Sequence, residues 1–90
     1  MSENMRKIYV AVTVRFSAEG KMKPLSVSWS DGREYEVTRL LGTRTVPPRS
    51  DSFYPVRYDC VFGVDRRFLY YEPETSRWFV EAPYVSAENG

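Results

Sequence analysis

Two runs of alternating apolar and polar residues flank Asp31-Gly32 in the stretch Leu25-Ser-Val-Ser-Trp-Ser-Asp-Gly-Arg-Glu-Tyr-Glu-Val-Thr-Arg-Leu40, which is the pattern of a β-hairpin. The side-chain faces select its register. A two-residue loop would set Trp29 beside Glu34 and mix core with solvent positions. A three-residue loop places Ser30 and Asp31 in a type I turn and Gly32 in a left-handed bulge. It pairs Trp29 with Arg33, Val27 with Tyr35 and Leu25 with Val37, so the apolar partners share a face.

The rest of the chain reads in the same way. Ile8, Val10, Val12, Val14 and Phe16 alternate with Tyr9, Ala11, Thr13 and Arg15, giving a strand over residues 6–16. Ser17 to Lys23 is polar and contains Gly20, and Pro24 opens the second strand, where a missing N–H is tolerated. Residues 33–46 admit two readings. As a helix, Asp31 and Glu34 form a capping box, Val37, Leu40 and Leu41 an apolar stripe and Gly42 the stop. As a strand, Tyr35, Val37, Thr38, Thr43, Thr45 and Val46 are β-formers and Gly42 marks a bend or bulge at a barrel corner; more residues support this reading.

Residues 47–55, with prolines at 47, 48 and 55, form a long loop. Val56 to Phe62 is a strand with Tyr58, Cys60 and Phe62 inward and Arg57 and Asp59 outward, and Gly63 to Arg67 is its turn. Phe68–Glu72 and Arg77–Glu81 make a last hairpin around Pro73-Glu-Thr-Ser76, aligning Glu72 with Arg77, Tyr71 with Trp78, Leu69 with Val80 and Tyr70 with Phe79. Both faces of that hairpin are apolar near its middle, so either the sheet is covered there or an aromatic patch is exposed. Residues 1–5 and 83–90 are expected to be frayed tails.

Ninety residues bound the answer to one domain, and 42% hydrophobic with 16% aromatic residues is enough for one small core. The fold class expected is all-β: a single small antiparallel meander of five or six strands, curled into an SH3-like or related barrel. Its core is drawn from Ile8, Val10, Val12, Val14, Leu25, Val27, Trp29, Tyr35, Val37, Tyr58, Cys60, Phe62, Leu69, Tyr71, Trp78 and Val80.

Several chemistries are disfavoured. The chain has no histidine, so the commonest general base and metal ligand are missing. Cys60 is its only cysteine, which rules out an intrachain disulfide and makes a zinc site within one chain improbable. No phosphate-binding loop, dinucleotide fingerprint or nucleophile elbow occurs. Glu34 and Glu36, two apart on the solvent face, read as solubilising charges. No enzyme, cofactor or metal is expected. The initial residues lack a charged segment followed by an apolar run, and no stretch reaches the ~18 apolar residues of a bilayer span. A cytoplasmic, reducing location without membrane contact is therefore the expectation.

What remains is arginine with aromatics. Ten arginines stand against three lysines, and residues 37–57 hold Arg39, Arg44, Arg49 and Arg57 against Asp51 alone. Guanidinium groups bind phosphates and stack on rings. The leading expectation is a non-catalytic interaction module that binds a protein partner, or itself as a homodimer, through an exposed edge strand or an aromatic patch with Tyr70, Phe79, Phe53 and Tyr54 as candidate contacts. The alternative is single-stranded nucleic-acid binding through Arg44, Arg49, Arg57, Arg66 and Arg67. The near-neutral whole chain, net +1, weighs for the former.

The run Trp29-Ser-Asp-Gly-Arg-Glu-Tyr-Glu-Val37, with Arg57-Tyr58, Leu69-Tyr-Tyr-Glu72 and Arg77-Trp-Phe-Val-Glu81, resembles a family of short uncharacterised bacterial proteins found in Firmicutes. Trp-x-Asp-Gly-Arg-x-Tyr is its most specific part. The resemblance spans most of residues 8–81 and implies a small all-β cytoplasmic domain of unknown function, with no catalytic residue to carry over.

Overall fold

A computed structural model describes residues 5–47 and 54–83. The strands are β1 (Met5–Phe16), β2 (Met22–Ser28), β3 (Glu34–Glu36), β4 (Arg39–Thr45), β5 (Val56–Phe62), β6 (Asp65–Glu72) and β7 (Arg77–Pro83). All pair antiparallel in one curled, half-barrel sheet of order β3-β2-β1-β7-β6-β5-β4. Among the described residues no helix is long and apolar enough to cross a membrane.

The Asp31-Gly32 hairpin has the register its side-chain faces demand. Val27 pairs with Tyr35, the Trp29 N–H donates to Arg33 O at 2.8 Å and the Gly32 N–H to Trp29 O at 3.0 Å. Gly32 has φ 92°, a conformation that only glycine adopts without strain. The final hairpin has its expected alignment at Tyr70, Tyr71 and Glu72, opposite Phe79, Trp78 and Arg77, but the expected pair of Leu69 with Val80 does not form. The turn after β5 is shorter than residues 63–67. Gly63 alone of the two loop residues takes a positive φ, 70°, giving a II′-type turn that pairs Phe62 with Asp65 and starts β6 three residues earlier.

The two long alternating segments are shared between sheet neighbours. Met5–Val10 of β1 pairs with β7, whereas Ala11–Phe16 pairs with β2. The segment expected as one strand or one helix over 33–41 is instead β3 and β4, split at Val37-Thr38. The Val37 N–H donates to Leu25 O on β2 and the next N–H, of Thr38, to Val61 O on β5, both at 2.8 Å. Consecutive N–H groups of an extended chain point opposite ways. The sheet's two end strands are therefore joined through these two residues, and curling brings its ends together. This makes seven strands rather than five or six. Gly42 adjoins the expected bulge: Leu40 pairs with Cys60 and Gly42 with Asp59, leaving Leu41 as the extra residue.

Val27, Tyr58, Cys60, Leu69 and Trp78 are buried at the centre of the core, with Val10, Val12, Val14, Trp29, Val37, Phe62, Tyr71 and Val80 packed against them. Three expected core residues are not part of it, the first being Ile8, which is half-buried but does not pack against the buried cluster. Leu25 is 37% exposed because β2 bulges between its pairings of Ser26 with Thr13 and of Pro24 with Val14, which turns Leu25 out and buries Pro24. Tyr35 is 41% exposed, on the short end strand. Strand pairing runs out to Met5 and Pro83, one residue into each expected tail. Residues 1–4, 84–90 and 48–53 of the expected loop lie outside the described residues.

Candidate interaction site

The outer face of β4, β5 and β6 collects arginines. Register places Arg44 opposite Arg57 and Arg57 opposite Tyr70; the next outward row holds Gly42, Asp59 and Phe68; the third holds Arg39, Val61 and Arg66. Asp59 is taken up by Arg66, whose Nε and Nη2 donate to its two oxygens at 2.8 and 2.5 Å. Those bonds and the guanidinium charge hold the Asp59 carboxyl below its ordinary range, against a smaller push from burial. Arg57 lies over the Phe68 ring, 4.2 Å from its centroid, with Phe68 40% exposed. Arg39 and Arg44 have no carboxylate partner among the described residues, and Arg57 makes no salt bridge, feeling only the charge of Asp59 that Arg66 already binds.

Three of the five arginines singled out in the sequence, Arg44, Arg57 and Arg66, are thus brought together, joined by Arg39 and Phe68. Arg67 is separated from them, opposite Cys60 on the inner register. Arg49 lies outside the described residues.

The Tyr70/Phe79 patch is not exposed. Phe79 is 1% and Tyr70 8% accessible. The two rings stack at 5.0 Å, Tyr9 meets Phe79 edge-on at 5.8 Å, and the Lys7 ammonium sits 4.8 Å from the Phe79 centroid. Glu72 is buried beside them and accepts bonds from Lys7 Nζ at 2.6 Å, Thr75 Oγ1 at 2.7 Å and the Tyr9 hydroxyl at 3.0 Å. Long side chains from β1 therefore cover an outer face that alternation alone assigns to solvent. Tyr54 is 61% exposed; Phe53 lies outside the described residues.

The other feature is an edge. β4 ends the sheet and pairs with β5 alone among the described residues, and every residue from Arg39 to Thr45 except Leu40 is exposed. The Val46 N–H donates to Pro55 O at 3.0 Å, on the β5 side. Alternation from there turns the N–H groups of Thr45 and Thr43 to the open side. β3, at the opposite end, has only three residues.

β6 and β7 pair only at Tyr70–Glu72 and Arg77–Phe79 and diverge beyond. The divergence opens a cleft of about 710 Å³ lined by Trp29, Tyr35, Phe62, Leu69 and Val80, with Arg67 at its margin. Cys60 is fully buried, its thiol donating to Tyr58 O at 3.7 Å. Burial, then the Asp59 charge, pushes its pKa up to about 11, the opposite of an activated thiolate.

Arg39 and Phe68 were missed in the sequence because 33–41 was read as one continuous strand and the turn after Phe62 as too long. Counting outward positions on both sides of Arg57-x-Asp59-x-Val61 would have found them. No family model matches the sequence, and no curated protein or solved structure matches it either.

Proposed function

We propose that this protein is a non-catalytic interaction module that receives an extended segment of a protein partner along the free edge of β4. The observation that supports this reading is the seven-residue end strand, paired on one side and exposed on both faces. Such an edge templates strand addition through main-chain hydrogen bonds. Its own side chains argue against a second copy as the occupant. Pairing two β4 strands would gather Arg39 and Arg44 of each copy, four arginines, on one ribbon whose strands carry no carboxylate, and like charges so gathered destabilise a sheet. A cytoplasmic location and kinship with the Firmicutes family carrying the Trp-x-Asp-Gly-Arg-x-Tyr hairpin belong to the same proposal.

The test selects binding peptides from a displayed random library and compares their affinity for Thr43→Pro and Thr45→Pro. Each variant removes an outward N–H and leaves the β5 ladder intact. Selected peptides are expected to bind either variant at least ten-fold more weakly and to slow amide exchange across residues 39–45. Undiminished binding to both folded variants, or protection elsewhere only, refutes the reading. Light scattering is expected to give a monomer.

A further inference from the structure

We infer that the outer face of β4–β6 is a second, separate binding surface, for the phosphodiester backbone of a single-stranded nucleic acid. Arg44 and Arg57 stand directly opposite each other on neighbouring strands, with no carboxylate between them. Like charges so placed work against the sheet, and an anion bridging them removes that conflict. The carboxylates on this face are already engaged, Asp59 by Arg66 and Glu72 by Lys7. Arg39, Arg44 and Arg57 therefore leave a local excess of three positive charges on a chain whose net charge is +1. The excess is concentrated rather than spread.

The chemistry of the groups narrows the ligand. All three cations are guanidiniums, which bind phosphate oxygens in pairs through a planar fork. The Arg57 guanidinium carbon sits over the half-exposed Phe68 ring, 4.2 Å from its centroid, so the face offers an aromatic surface next to its charge. Aromatic and guanidinium planes beside a basic track are the working parts of single-strand binders. Duplex is a poorer fit, because the described residues include no helix to enter a groove.

The experiment is fluorescence anisotropy of dye-labelled fifteen-nucleotide oligo-dT and oligo-rU with the full chain. Three phosphate contacts on a single strand give a slope of log affinity against log salt of about −2, so binding falls roughly twenty-fold between 50 and 200 mM salt. Arg44→Glu and Arg57→Glu are each expected to weaken binding at least five-fold, and Phe68→Ala to weaken it with little change in salt slope. Arg15→Glu carries the same charge change on β1 and is expected to alter binding less than two-fold. Thr43→Pro leaves it unchanged, which separates this surface from the β4 edge. Circular dichroism checks that each variant folds. The inference is overturned by no binding at 50 mM salt, by Arg15→Glu matching Arg44→Glu, or by polyglutamate competing as well as unlabelled oligonucleotide. The last outcome would assign the face to an acidic protein.

Discussion

Glu72 shows how one residue sets the character of a surface. Its carboxylate is buried on the outer face between β6 and β7, where desolvation raises its pKa, yet the bonds from Lys7, Thr75 and Tyr9 and the Lys7 charge outweigh that and leave it below its ordinary value. The folded state therefore binds this proton less readily than the unfolded chain. Its stabilisation is fully present above the ordinary carboxylate range and is lost as pH falls through the depressed folded value. Glu72→Gln is expected to cost about 2 kcal/mol at pH 7, since it removes the charge-assisted bond from Lys7 and weakens those from Thr75 and Tyr9. The difference from wild type should shrink steadily below about pH 4, as the wild-type carboxyl takes up its proton. Urea unfolding at pH 7 and pH 3 measures it; a gap that does not change with pH would mean Glu72 acts by packing alone. The cluster was not legible in the sequence. Alternation put Lys7, Tyr9 and Glu72 on faces facing water, and only the pairing of β1 with β7 reveals that they meet.

At the scale of elements, two turns were readable because each depends on a few local residues, whereas the one at Gly63 was read as too long. Asp31-Gly32 fixed its hairpin, and Pro73 to Ser76 held Glu72 opposite Arg77. The break at Val37-Thr38 was not readable, since both sides are β-formers and the cause lies in Leu25 and Val61, distant in sequence. The same distinction separates two glycines. Gly63 has φ 70° with nothing within 4 Å of a built Cβ, so any cost of a side chain there is backbone strain. Gly42, at the β4 bulge, also has open space but no positive φ. Gly63→Ala is expected to lower stability by about 1–2 kcal/mol. Gly42→Ala should be neutral or stabilise by about 0.5 kcal/mol through the unfolded chain. Thermal melts of the pair decide this, and equal losses would show that the bulge, not φ, controls Gly42.

For the whole molecule, the decisive contact joins the first strand to the last. Met5 to Val10 pairs with Pro83 to Trp78, and the ends of the sheet are tied through Val37-Thr38. Neither is a hairpin, so neither could be inferred from neighbouring residues; the expected meander curled into a barrel left unspecified which strands would meet. The consequence is cooperativity. Trp78 lies in the core on β7, and Trp29 flanks it beyond the end of β2, at the far side of the β1 crossing. Because β1 serves both regions, neither retains a complete set of strand partners when the other opens. In Trp29→Phe and Trp78→Phe, the remaining indole reports a different region. Within each variant, fluorescence and far-ultraviolet circular dichroism are expected to give the same urea midpoint, and refolding to be slow, in the millisecond-to-second range of sheets dominated by non-local pairing. An earlier fluorescence midpoint confined to Trp78→Phe would show that β2 and β3 open as a separate unit. That result would place the weak point of the fold at Val37-Thr38, next to the β4 edge where a partner strand is proposed to add, and binding there would then have to be measured together with local unfolding.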